Sequence, residues 1–244
     1  MLYIKSEAYL SEKGRCTINE DTLLLVTGQM YLICDGVGGN ANGQVASKLV
    51  ADALFSYYEN NPDFELSTAL IFVEKVLSQY KKKSPSKTLM ASTLALTQIK
   101  HSSILIAWIG DSTVYQIRSG HLKYKTKGHT WVNEAIEKGE LTELEQYFHP
   151  NKNEVTRLIK GTQQPSQFDC QLVTDLEEND YFLLISDGVL EAFIEDDLIE
   201  LFNSNNSCAE ILKEINKQCT QFSNDNYSAI IYQIGINKKL KNYN

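Results

Sequence analysis

The sequence predicts a layered α+β fold in which helices pack outside antiparallel sheets. Apolar, β-branched runs arrive in consecutive pairs with short turns between them, as in TLLLVTGQMYLIC and SILIAWIGDSTVYQIRSGHLKY. Pairs joined so closely are antiparallel, because a parallel pair needs a crossover of roughly a dozen residues or more. Between the pairs lie longer stretches with apolar residues at three- and four-residue spacing, one face of a helix. A chain of 244 residues, 43% hydrophobic and 22% charged, buries a full core and fits one such domain.

In chain order, strands are expected at 22–27 and 29–34, followed by helices at 42–58 and 64–82 that Asn60-Asn61-Pro62 separates. The break Lys81-Lys82-Lys83-Ser84-Pro85 is expected to be a solvated loop, and strands are expected at 92–99, 103–109, 113–118 and 121–126. Periodicity then predicts a helix over 130–147, strands at 168–174 and 181–186, and helices at 188–201 and 207–221 with a break at Asn203–Asn206. A last strand covers 227–234. Residues 1–236 read as one domain, and 237–244 as a polar, frayed tail.

Charge and composition exclude several classes of function. A formal net charge of −8 argues against nucleic acid as the main partner, because phosphate binding needs a basic face. No apolar run approaches the roughly 18 residues of a membrane helix, and MLYIKSEAYL lacks a basic segment leading into an apolar one. Cysteines 16, 34, 170, 208 and 219 are odd in number and form no CxxC pair, so neither disulfides nor zinc is indicated. A reducing, cytoplasmic setting is expected.

Chemistry gathers at the strand ends. Tyr31–Cys34 runs into Asp35-Gly36, Phe182–Ser186 into Asp187-Gly188, and Ile104–Ile109 into Gly110-Asp111-Ser112. Each apolar strand delivers a carboxylate beside a glycine. An unpaired carboxylate is costly to desolvate, so such groups are paired, hydrogen-bonded or bound to metal. Hard divalent cations take carboxylate and carbonyl oxygens, and a glycine lets its carbonyl approach closely. One Asp-Gly is an ordinary turn. Two of them, together with Asn19-Glu20-Asp21 and Asp225-Asn226, point to a metal cluster.

The stretch Gly36-Val37-Gly38-Gly39-Asn40-Ala41 also satisfies GxGxxA, a dinucleotide fingerprint. Two features oppose that reading: Asp35 would face a pyrophosphate with its charge, and the strand pairing is antiparallel. Gln44 stands where a phosphate loop has lysine. A protein nucleophile is not evident either, since there is no Cys-x5-Arg loop and no Ser-His pair at suggestive spacing. His101, His121 and His149 read as loop or surface residues.

Taken in order, Asn19-Glu20-Asp21, Asp35-Gly36-Val37-Gly38-Gly39, Gly110-Asp111-Ser112, Ser186-Asp187-Gly188 and Asp225-Asn226 resemble the metal-dependent protein phosphatases of type 2C. The resemblance runs from about Ser11 to Ile234, and Glu137–Thr142 through Arg157–Gly161 looks like the mobile flap of bacterial members, here about 131–162. It implies a four-layer α-β-β-α sandwich of two antiparallel sheets flanked by helices. It also implies two Mn2+ or Mg2+ ions bridged by Asp35 and a water that attacks phosphoserine or phosphothreonine. One ion would be held also by Asp187 and Asp225, the other by Glu20 and the Gly36 carbonyl, with Asp21 orienting the metal-bound waters.

The chain departs from the family in several places. The arginine that grips substrate phosphate is replaced by Cys16, leaving adjacent Arg15 to take over, and the histidine common after Gly-Gly is Asn40. The strand usually written Gly-Thr-Thr is Ala91-Ser92-Thr93. In Lys127-Gly128-His129-Thr130-Trp131-Val132, Gly128 stands where an aspartate helps bind a third ion. Asp187 and Glu191 remain to face that ion, which is expected to be weak or absent. The implied partners are phosphoproteins of a cognate serine/threonine kinase, met by a monomeric catalytic domain without anchor. The rival is a pseudophosphatase that binds proteins, against which stands retention of Glu20, Asp35, Asp187 and Asp225.

Overall fold

Two five-stranded antiparallel sheets stack face to face, one in the order β1-β12-β11-β8-β9 and the other β10-β7-β6-β3-β2. The computed structural model describes residues 1–38, 42–83, 89–162, 164–203 and 206–237, the side chain of residue 147 excepted. Gly39, Asn40, the Ser84-Pro85 break, positions 204 and 205, and the tail from 238 lie outside the described residues.

The strands are β1 Leu2–Glu12, β2 Thr22–Val26, β3 Met30–Cys34, β4 Gly36–Val37, β5 Ala91–Ser92, β6 Leu94–Ile99, β7 Ile104–Ile109, β8 Thr113–Arg118, β9 His121–Lys125, β10 Asp169–Val173, β11 Tyr181–Ile185 and β12 Tyr227–Ile236. The helices are α1 Asn42–Asn60, α2 Leu66–Lys83, α3 Trp131–Glu137, α4 Asp187–Leu190, α5 Glu195–Glu200 and α6 Cys208–Phe222. The central strands are covered on both faces, which explains their unbroken apolar runs. Along β3, Tyr31 and Ile33 enter the core between the sheets, while Met30, Leu32 and Cys34 meet α1 and α2. Tyr232 stacks between Tyr31 and Phe182 at 4.4 and 5.2 Å in that inter-sheet core. On the far side, Leu183, Ile185 and Ile231 pack under Ile211 and Ile215 of α6. The layers are helices, sheet, sheet, helices, as expected.

Several elements differ from the sequence reading. β1 was not expected; it pairs with β12 from Leu2↔Ile236 to Glu12↔Tyr227 around a bulge between Ile4 and Ser6. The helix expected over 130–147 stops after Glu137, where Gly139 takes a left-handed φ of +73°. A 3-10 turn, Glu145–Phe148, follows separately. The helix expected over 188–201 divides into α4 and α5, and Lys81–Lys83, expected in a loop, form the last turn of α2. The dinucleotide alternative fails because β3 runs antiparallel to both β2 and β6.

Register brings the acidic strand ends to one edge. Cys34 lies opposite Thr22, Leu94 opposite Ile109, and Ile185 opposite both Thr113 and Ala229. Asp35 and Asp21 adjoin Cys34 and Thr22, Asp111 and Asp187 lie two residues beyond Ile109 and Ile185, and Asp225 lies two residues before β12 begins.

Candidate metal centre

Each acidic residue is fixed by its local backbone. The Asp35 amide donates to Thr93 Oγ1 at 2.9 Å, and the Thr93 amide returns a bond to the Asp35 carbonyl at 2.8 Å. Thr93 can do this because the strand expected over 92–99 breaks there, into β5 and β6. Gly36 is required by close approach: a Cβ would lie 2.1 Å from the Gly43 carbonyl oxygen in the first turn of α1. The Glu20 amide donates to Asn226 Oδ1 at 2.7 Å, and Asn226 Nδ2 donates to the carbonyls of Lys13 and Ile18, both at 2.9 Å. Asn226 therefore fastens the Glu20 loop to the start of β12. Asp21 accepts from Ser186 Oγ at 2.7 Å through Oδ2.

These residues enclose a cavity of about 330 Å3 lined by Glu20, Asp35, Gly36, Asp111, Asp187 and Asp225, with Thr93 and Asn226. Asn153, Val155 and Leu158 cover it from a strap whose ends are clasped by bridges Thr130↔Val155 and Ser92↔Ile159. Beyond the strap, Glu74 of α2 accepts from the amides of Lys160 and Thr162. A second cavity of about 550 Å3 shares Asp111, Asn153 and Asp187, and adds Gly128 and Glu191 with Lys125, Lys127 and Lys152.

Electrostatics set the requirement of the site. No lysine, arginine or histidine lines the first cavity among the described residues. Loss of solvent, then Asp21, Asp187, Asp111 and Asp225, pushes the Asp35 pKa well up. Burial and the neighbouring carboxylates raise Asp187 to about 8, against a hydrogen bond from Asp35 that lowers it. Burial raises Asp21 to about 6 and also raises Asp111. Oδ1 of Asp21 and Oδ1 of Asp187 are buried without a hydrogen-bond partner. Orphaned hard oxygens in a field of like charge fit divalent cations with oxygen preference. Among the described residues no three acidic, His or Cys side chains form a closed ligand set.

Of the residues singled out from sequence, Glu20, Asp35, Gly36, Asp187 and Asp225 share the first cavity, and Asp21 lies directly behind it. Glu191 lines the second cavity, where its carboxylate also accepts from the amides of Asn224 and Asp225 at 2.7 and 3.3 Å. Arg15 is absent from both linings; its guanidinium donates to Asn224 Oδ1 and the Gln221 carbonyl, each at 2.9 Å. Cys16 places its thiol 3.6 Å from Asp225 Oδ1. Asp111 was missing from the expected ligand set although it ends a strand in the same manner, and Thr93 and Asn226 were signalled only by adjacency.

A family model described as protein phosphatase 2C matches residues 13–223. The chain belongs to the protein phosphatase 2C family. It is thereby a phosphoprotein phosphatase by class. A putative protein phosphatase 2C-type of Streptococcus pyogenes is 29% identical over 192 residues, 76% of this chain and 77% of that one. The serine/threonine protein phosphatase PstP of Mycobacterium tuberculosis is 25% identical over 194 residues, 78% of this chain but 37% of PstP. The crystal structure of the PstP catalytic domain in complex with two manganese ions superposes with a TM-score of 0.83 at 23% identity, covering 97% of this phosphatase and 100% of that domain. The fold of this phosphatase is theirs. No helix among its described residues is long and apolar enough to cross a membrane.

Proposed function

We propose that this phosphatase hydrolyses phosphoserine and phosphothreonine in proteins with water activated by two divalent cations, Mn2+ or Mg2+. The supporting observation is the cavity where Glu20, Asp35, Asp111, Asp187 and Asp225 meet with no basic side chain to balance them. Asp35 would serve both ions, Asp187 and Asp225 one, Glu20 and the Gly36 carbonyl the other. Bound in pairs, such ions make water a nucleophile at neutral pH and offset charge on the attacking and leaving oxygens of an in-line displacement.

The protein's own contribution is placement. Asp21, fixed through Oδ2 by Ser186, keeps Oδ1 to orient water. The strap from Asn153 to Leu158 limits solvent above the carboxylates. Arg15, bonded to Asn224, is the candidate cation for the incoming phosphate. A third ion facing Asp187 and Glu191 is weak or absent, because Gly128 contributes no side-chain oxygen. Residues 1–236 act as one catalytic domain, with 131–162 as its flap. Its substrates are phosphoproteins of a serine/threonine kinase, met by a cytoplasmic monomer.

The test is release of phosphate from a phosphothreonine peptide by purified protein. Hydrolysis that requires Mn2+ or Mg2+ and stops in EDTA is expected. A metal-replete preparation inactive on that peptide and on p-nitrophenyl phosphate favours a pseudophosphatase instead.

A further inference from the structure

His129 sits where three parts of the molecule meet, and it is only 5% exposed. The Gly110 amide donates to its Nδ1 at 3.0 Å, while its own amide donates to the Gly110 carbonyl at 2.8 Å. Its carbonyl accepts from the Thr156 amide of the strap at 2.9 Å. Its Nε2 lies 3.1 Å from Asp169 Oδ2 on β10, and Arg157 Nη1 of the strap reaches the other oxygen of Asp169 at 3.2 Å. Trp108 of β7 stacks over the ring at 6.1 Å and donates from Nε1 to the Lys127 carbonyl at 2.8 Å.

The donors decide the form of the ring. A backbone N–H has only a proton to offer, so Nδ1 accepts and is bare; the single ring proton is then on Nε2, where it donates to Asp169. Arg157 Nη1, 3.2 Å from Nε2, finds no lone pair there, and its partner is the carboxylate. An imidazolium would set Nδ1–H against the Gly110 N–H. Burial, which lowers the pKa of His129, acts in the same direction.

What the ring holds is the turn that presents Asp111. Gly110 has a left-handed φ of +94°, and a Cβ there would lie 2.6 Å from Thr93 Cγ2. The turn is bonded on both its backbone groups by one residue, and the next side chain faces both cavities. Through Thr156, next to Val155 in the cavity cover, the same residue also seats the strap.

We propose that neutral His129, held as the Nε2–H tautomer by Asp169, is a positioning residue that sets Asp111 against the cations and, through the oxygen Asp169 shares with Arg157, ties that setting to closure of the strap. The effect on cations rests on the metal reading of the cavity; the tautomer and the strap tether do not.

Two experiments on the full chain test it. Nitrogen-15 NMR of the histidine rings in metal-free protein at pH 7 should show His129 bare at Nδ1 and protonated at Nε2. An Nδ1–H tautomer or a doubly protonated ring overturns the proposal. Asp169 is half exposed, so its variants are expected to fold. By calorimetry, Asp169→Ala should weaken Mn2+ binding about tenfold, the scale of one charge-assisted hydrogen bond, while Asp169→Asn, which still accepts from Nε2–H, stays within about threefold of wild type. Both variants should be cleaved faster by protease within 131–162, because each loses the carboxylate that holds Arg157. Unchanged Mn2+ affinity in Asp169→Ala, or cleavage at the wild-type rate in both variants, overturns the proposal. Wild-type protein that binds no Mn2+ overturns the metal reading, and the tautomer and cleavage results then decide this proposal by themselves.

Discussion

Replacing Asp187 with asparagine should stabilise the metal-free protein, and the structure sets the size of the gain. Asp187 is raised from 3.8 to about 8, first by loss of solvent and then by Asp111, Asp225 and Asp21. In the unfolded chain it returns to the ordinary range, about 3.9. Between those values the folded state keeps a proton that the unfolded chain has released, so stability falls as pH rises from about 4 to about 8. The slope is about 1.4 kcal/mol per pH unit, which reaches about 4 kcal/mol by pH 7. Asparagine does not titrate, and its amide oxygen can accept the hydrogen bond that the protonated Asp35 carboxyl gives to Asp187. In a chain of 244 residues about 1 kcal/mol moves Tm by about 2–4 °C, so metal-free Asp187→Asn should melt about 10 °C above the parent at pH 7 and level with it near pH 4. Saturating Mn2+ should reverse the order, because the parent exchanges its proton for a cation and the variant lacks the charge to do so. Differential scanning calorimetry from pH 4 to pH 8, in EDTA and in Mn2+, reads all of this. A metal-free variant that melts below the parent at pH 8, or one that gains as much from Mn2+, refutes the reasoning.

Three further outcomes are expected. Asp35→Ala should retain the metal-free fold by circular dichroism and less than about a tenth of wild-type turnover, a barrier increase above about 1.4 kcal/mol; a faster variant removes Asp35 from its shared role. Gly128→Asp places a Cβ 3.1 Å from Asp111 Cα, so the turn must yield by a few tenths of an ångström to add a carboxylate facing the second cavity. It should lower the metal concentration needed for activity, and an unchanged metal titration contradicts the account of the third ion. Arg15→Ala should raise KM for a phosphopeptide about tenfold, the scale of one hydrogen bond to charge, whereas an unchanged KM leaves Arg15 only its bonds to Asn224 and Gln221.

The acidic cavity was legible because a carboxylate at the end of an all-apolar strand demands a reason, and Asp35 and Asp187 carry that signature. Asp111 carries it too, but its place between the two cavities depends on how β7, β8 and the 125–133 segment meet, which local pattern does not encode. β1 escaped notice because its polar and apolar residues alternate imperfectly and its partner is β12, from Leu2 against Ile236. The helix expected over 130–147 had the right periodicity, but Gly139 ends it in a conformation that periodicity ignores. Sequence adjacency suggested Arg15 as a substitute for the residue lost at Cys16; adjacency does not reveal that α6 and Asn224 already receive its guanidinium. Glu191 was readable as a carboxylate near Asp187, but its bonds to the amides ahead of β12 required the tertiary structure.

The most direct measurement of the central claim is anomalous scattering at the manganese edge from crystals grown in millimolar Mn2+. Two strong peaks are expected in the cavity bounded by Glu20, Asp35, Gly36, Asp187 and Asp225, both within coordination distance of Asp35, with a weak peak or none beside Glu191. An empty cavity at that concentration, or ions bound only elsewhere on the surface, contradicts the assignment of these carboxylates to a two-cation centre.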